Sequence, residues 1–120
     1  MQVEQVDFVS VLTQDIPRAK QFYGETLGLP IETEGENDLE FTLGQVTLDV
    51  FNPASIGEEF AASTAGIAIR VPDVAAARAE LESKGVEFDG ETRDTGVCHM
   101  AFFKDPDGNA LMLHRRYAPR

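Results

Sequence analysis

Hydrophobic and polar positions along this chain switch between two periods, and the switches mark the elements. Residues 7–13 (DFVSVLT) put Val9 and Val11 on one face and Phe8, Ser10 and Leu12 on the other, the period of two expected of a strand. From Asp15 the period lengthens. Ile16, Ala19, Tyr23 and Leu27 fall at helical spacing, Asp15 suits an N-cap, Pro17 is tolerated in the first turn, and Gly28 stands where a helix closes. Three short strands are predicted next, at 29–34, 39–43 and 46–51, with Gly44-Gln45 as the turn of a hairpin. Residues 53–65 are rich in small and polar side chains and read as a linker with one helical turn around Glu58–Ala61.

The pattern then starts again. GIAIRV (66–71) alternates Ile67, Ile69 and Val71 against Gly66, Ala68 and Arg70. Asp73 is a second N-cap candidate, Val74, Ala77 and Leu81 give a helix face, and Gly85 closes the run. Strands are predicted at 86–92, 98–104 and 110–114. The last two flank the polar corner Lys104-Asp105-Pro106-Asp107-Gly108-Asn109. There Pro106 fixes φ, Gly108 supplies positive φ, and the Asp side chains can accept from nearby backbone N–H groups. The simplest account is one domain over 1–120, of α+β class. It holds two tandem βαβββ modules, at about 1–52 and 66–120, with the helices outside.

Because side chains alternate along a strand, parity sorts residues by face. Val9, Val11, Leu48, Val50, Ile67, Ile69, Leu111 and Leu113 form a wholly aliphatic set, as a face packed under helices requires. The opposite set is mixed: Phe8, Ser10, Thr47, Asp49 and Phe51 in the first module, and Ala68, Arg70, Ala110, Met112 and His114 in the second. A face that interleaves aromatic and thioether groups with hydroxyl, acid, base and imidazole suits a ligand cavity. The alternatives are a face that is half-exposed or buried in a dimer, or ordinary core with Phe8, Phe51 and Met112 as packing.

Charge narrows the partners. Twenty-one acidic residues against ten basic give a net charge of −11, which argues against nucleic acid, whose phosphates need a basic stripe. The excess reads as a solubilising surface, and is compatible with a cationic ligand drawn into an acidic groove. No apolar run approaches the length of a membrane span, residues 1–9 (MQVEQVDFV) show neither the basic nor the long apolar stretch of a signal segment, and the single Cys98 cannot form an internal disulfide. A cytoplasmic protein with no membrane partner is expected. Cys98 itself reads as a small buried hydrophobe.

The tandem units, the segment DIPRAKQFYGETLGL after a first strand, and FFKDPDGNALMLH near the end resemble the vicinal oxygen chelate superfamily. This group includes glyoxalase I, bleomycin-resistance proteins, fosfomycin-resistance enzymes and extradiol dioxygenases. The resemblance implies modules whose mixed sheet curls into a cup, a homodimer as the common assembly, and in the metal enzymes a divalent ion held by residues on the first and last strands of each module. Carried onto this chain, those positions are Phe8, Asp49, Gly66 and Met112. Phe and Gly bring no donor, and a thioether suits only soft ions. No metal site or cofactor is therefore expected.

Two functions follow. The first is a binding module, similar to bleomycin-resistance proteins, that holds a small organic molecule without changing it. Its contact residues would be Phe8, Ser10, Thr47, Asp49, Phe51, Arg70, Met112 and His114. The second is a lyase, isomerase or dioxygenase acting through Asp49 as a catalytic residue with His114 or His99, with or without a divalent metal. An imidazole has the proton chemistry for such a role. His114 also reads as a solvated strand-end residue beside Arg115 and Arg116, and the facing of His99 depends on strand register.

Overall fold

The computed structural model describes all residues from Met1 to Arg120. Two compact units divide between Ala62 and Ser63, inside the segment read as a linker. Each carries one four-stranded mixed sheet and one helix, the α+β arrangement of tandem βαβββ modules that the periodicities predict.

In the first unit β1 (Phe8–Leu12), β2 (Ile31–Glu34), β3 (Asp38–Leu43) and β4 (Val46–Phe51) are ordered β1-β4-β3-β2. β1 runs parallel to β4, which requires the helical crossover between them; the other pairs are antiparallel. The helix α1 begins at Ile16 with Asp15 as N-cap, its carboxylate accepting from the Arg18 N–H at 3.0 Å. After Lys20 the helix widens to π geometry over Gln21–Thr26, and the Leu27 N–H donates to the Phe22 carbonyl five residues back. Phe22 and Tyr23, adjacent in sequence, are both buried and meet edge to face at 5.2 Å. Apolar spacing alone does not reveal this widening.

One sequence expectation needs correction. The helical turn lies at Pro53–Ile56, not at Glu58–Ala61. Asn52 fixes it by accepting from the Ala54 N–H at 3.1 Å, Pro53 fills the first position, and Gly57 closes it with φ of 74°.

In the second unit β5 (Ile67–Arg70), β6 (Phe88–Asp94), β7 (Cys98–Lys104) and β8 (Ala110–Arg116) repeat the order as β5-β8-β7-β6. The helix α2 (Val74–Ser83) is capped by Asp73, which accepts from the Ala76 N–H at 3.0 Å. The polar corner between β7 and β8 is a closed hydrogen-bond knot. Asp105 is buried and accepts from the backbone N–H groups of Asp107 and Asn109 and from the Asn109 side-chain amide, at 2.8–2.9 Å. Asn109, fully buried, accepts from the Ser63 N–H at 2.8 Å, and the Ala110 N–H donates to the Ser63 carbonyl. The corner therefore fastens the start of the second unit to its last hairpin.

Burial follows strand parity. Val11, Leu48 and Val50 in the first unit, and Leu111 and Leu113 in the second, are all at most 3% exposed. To these β3 adds Leu39 and Phe41, and β7 adds Ala101 and Phe103. Apart from Cys98, which is buried beside Arg116, the opposite face of each sheet remains half-buried or exposed.

Candidate functional site

The first unit's mixed face is acidic. Parallel pairing of β1 with β4 sets Phe8 beside Thr47 and Ser10 beside Asp49, and antiparallel pairing with β3 sets Glu40 opposite Asp49 and Asp38 opposite Phe51. Phe8, Thr47 and Asp49 join Asp7, Asp38 and Glu40 around a hollow of about 410 Å³. Ser10 donates to Asp49 Oδ2 at 3.1 Å. Glu32 accepts from the hydroxyls of Thr42 at 2.8 Å and Thr47 at 3.1 Å, so the rim of this face is also carboxylate. Phe8 is 58% exposed, an aromatic ring open to solvent at the edge of this hollow. Phe51 shares the face and is half-buried, but it does not line the hollow.

This crowding acts on Asp49. Partial burial pushes its carboxyl above the ordinary value of 3.8, the Ser10 hydroxyl pulls the other way, and repulsion from Asp38 raises it further. Glu40 directly across the strand pair is a second like charge, the arrangement that sheets normally avoid. The whole unit holds twelve acids against two bases, so nearly all of the chain's net charge of −11 lies here.

The second unit's mixed face is of opposite sign. Arg70 on β5 pairs with His114 on β8, and together with Ala68, Arg115, Arg116 and Arg120 they line a hollow of about 390 Å³. Met112 lies one alternation earlier on the same face, beside Ala68 and across from Phe102. Gly66 has φ of +71°, and a Cβ there would stand 3.3 Å from the Met112 methyl, so its lack of a side chain makes room for the thioether.

The register fixes His99. It pairs with Asp94 and Arg115 and so faces opposite to His114, on the side of Ala101 and Phe103. There it stands 3.4 Å from an Asp94 carboxylate oxygen and stacks on Tyr117 at 4.9 Å, while the Tyr117 hydroxyl donates to Asp94 at 2.7 Å. Asp94 is held below its ordinary value, first by the Gly96 N–H and then by Tyr117, and Tyr117 is raised in return. Cys98 is buried, as its type suggests, with Sγ 3.1 Å from the Thr95 hydroxyl.

Of the residues singled out from sequence, Phe8, Ser10, Thr47 and Asp49 thus come together in the first unit, and Arg70, Met112 and His114 in the second. Sequence reasoning missed Asp38 and Glu40 as lining residues; alternation within the predicted strand 39–43 could have placed Glu40, while Asp38 lay outside it. It also missed Arg116, which shares the His114 face.

The fold, the repeated modules and these two sheet faces can be compared with known proteins. A family model described as the Glyoxalase/Bleomycin resistance protein/Dioxygenase superfamily matches residues 5–113. The chain belongs to this superfamily. YraH of Bacillus subtilis (strain 168) is 27% identical over 122 residues, covering 89% of this chain and 94% of YraH. TnmS3, an antibiotic-binding protein from Streptomyces sp. CB03234, is 29% identical with a TM-score of 0.80, covering 97% of this chain and 98% of TnmS3. A lactoylglutathione lyase from Agrobacterium tumefaciens shares the fold with a TM-score of 0.80 at 17% identity, covering 94% of each chain.

The metal carried by enzymes of this superfamily needs hard donors, and the residues at the corresponding positions do not fit one. Phe8 in the first unit, and Gly66 with Met112 in the second, supply no oxygen or nitrogen side-chain donor; Asp49 alone does. No group of three or more His, Cys, Asp or Glu side chains is placed to hold an ion.

Proposed function

We propose that this protein binds a small organic molecule on the mixed faces of its sheets and releases it chemically unchanged, without a resident divalent ion. The observation that carries this reading is the replacement of three chelating positions by Phe8, Gly66 and Met112. Each of these side chains adds apolar contact or leaves room for it, and none adds a ligand for a metal. Interleaving of Phe8 with Ser10, Thr47 and Asp49, and of Met112 with Arg70 and His114, gives the combination of apolar wall and few orienting polar groups that small-molecule sites share. The likeness to TnmS3, an antibiotic-binding protein, supports binding over turnover. His99, engaged with Asp94 and Tyr117 on the other face, is a poor partner for such chemistry.

A cytoplasmic homodimer, with no nucleic-acid or membrane partner, is the form in which we propose that it acts. Light scattering on the eluting protein would then give twice 13.1 kDa.

Ligand-observed NMR against a panel of small aromatic molecules tests the binding reading directly. It expects at least one compound to bind and to be recovered unaltered after prolonged incubation. Conversion of the bound compound to product would overturn it. So would a stoichiometric divalent ion in protein purified without chelator, or a large rise in unfolding midpoint with Mg, Mn, Ni or Zn ions. A site occupied at 100 times its Kd adds about 2.7 kcal/mol, which a thermal scan detects easily.

A further inference from the structure

Along the mixed face of β8 the side chains change character in order. Ala110 and Met112 are apolar, and His114 and Arg116 are polar and cationic. Arg70, paired with His114 from β5, brings a second guanidinium to the same end of the sheet, where the hollow of about 390 Å³ opens. None of Arg70, Arg115, Arg116 or Arg120 is paired with a carboxylate, although the chain has twice as many acids as bases. This contrasts with Arg78 on α2, which donates to the Gly90 carbonyl and the Thr92 hydroxyl and pairs with Glu82. Arg116 is only partly committed: its Nη2 donates to the Pro119 carbonyl at 3.3 Å, while its Nε is buried with no acceptor. The terminal nitrogens of Arg70 and Arg116 therefore keep donor capacity that no carboxylate of the chain engages, and an arriving oxyanion can fill it.

We propose that this end of the second unit docks the carboxylate, or an equivalent oxyanion, of a small organic acid. Arg70 and Arg116 are its charged donors and His114 a third donor, and the apolar body of the acid lies toward Met112. The proposal rests on the binding reading above and gives it a ligand class. Two planar guanidinium forks match a carboxylate's two oxygens, and the apolar stretch beyond them selects an acid with a hydrophobic body over a bare ion.

Phenylacetate and its methyl ester differ only in the charged head, and titrating each into ¹⁵N-labelled protein separates the two claims. Phenylacetate is expected to shift the amides of β5 and of His114–Arg116. Arg70→Gln and Arg116→Gln are each expected to weaken it about tenfold, Arg78→Gln to leave it unchanged, and the ester to bind at least tenfold more weakly than the acid. Equal binding of acid and ester would overturn the oxyanion site while leaving small-molecule binding in place. Equal weakening by Arg78→Gln would show diffuse attraction and overturn it too, as would no binding of either compound. Arg70 is exposed, so its Gln variant should fold; if Arg116→Gln does not, the Arg70→Gln result decides alone.

Discussion

Asp49→Asn isolates the cost of the acidic face. In the folded chain the Asp49 carboxyl is raised above 3.8 by burial and by Asp38, so the native state holds that proton more tightly than the unfolded chain does. Its contribution to stability is therefore greatest below pH 3.8. The contribution declines as pH rises through 3.8 to the raised native value and is constant above it. The amide removes the charge yet keeps an oxygen to accept from Ser10 at about 3.1 Å. Relief of a like charge opposite Glu40 is worth about 0.2–1 kcal/mol, and partial burial acts in the same direction. Weakening of the Ser10 bond from charge-assisted to neutral works against both. The net expectation is a gain of about 0.5 kcal/mol at pH 7, or roughly 2 °C in midpoint for a domain of this size. Thermal unfolding followed by circular dichroism at pH 7 and pH 3 measures it. The variant should be the more stable at pH 7 and should lose that advantage at pH 3. An Asn variant less stable at pH 7, or one equally improved at both, would refute the claim that burial, with like-charge repulsion beside it, makes this carboxylate costly.

Other perturbations probe the remaining parts of the structure. Asp105→Ala should cost about 3 kcal/mol in urea unfolding, because it strands two backbone N–H groups and the Asn109 amide in a buried corner. Gly66→Ala should destabilise by about 1–2 kcal/mol at φ of +71°, with most of the loss from the backbone, since the Met112 methyl 3.3 Å away can swing aside. A Gly66→Ala, Met112→Ala double variant that recovers full stability would contradict this. Tyr117→Phe should raise the Asp94 pKa toward its ordinary 3.8, visible in a carboxyl NMR titration, because the second-strongest of its lowering contacts is lost. With Asp94 depressed, that contact stabilises above pH 3.8 and fades as pH falls through the native value.

The fold was legible in the sequence because its signals are local and repeated. Asp15 and Asp73 cap helices as short acids before an apolar period do, Gly28 and Gly85 follow those helices with positive φ, and strand parity alone separated buried Leu48 and Val50 from half-buried Thr47 and Asp49. The misplaced turn at Pro53–Ile56 had a local signal in Asn52-Pro53, a capping side chain followed by a proline at the first helical position. His99 could not be assigned a face, because a one-residue slip reverses every side chain and only the paired register removes the ambiguity.

The charge of the site was legible in sum and hidden in distribution. A net of −11 read as a solubilising surface for the whole chain, yet the excess of acids over bases lies almost entirely in the first unit, and the second presents Arg70, His114 and Arg116 together on one sheet face. Arg70 and Arg116 are 46 positions apart and lie on different strands, so composition averages them away while parallel pairing of β5 with β8 gathers them at one end. Attraction over a Debye length of about 10 Å depends on what lies within that radius and not on the total, so each face carries a local potential of its own sign. The same two-residue alternation that buries Leu111 and Leu113 turns Met112, His114 and Arg116 outward, and so the pattern that builds the core also arranges the apolar-to-cationic gradient beside it.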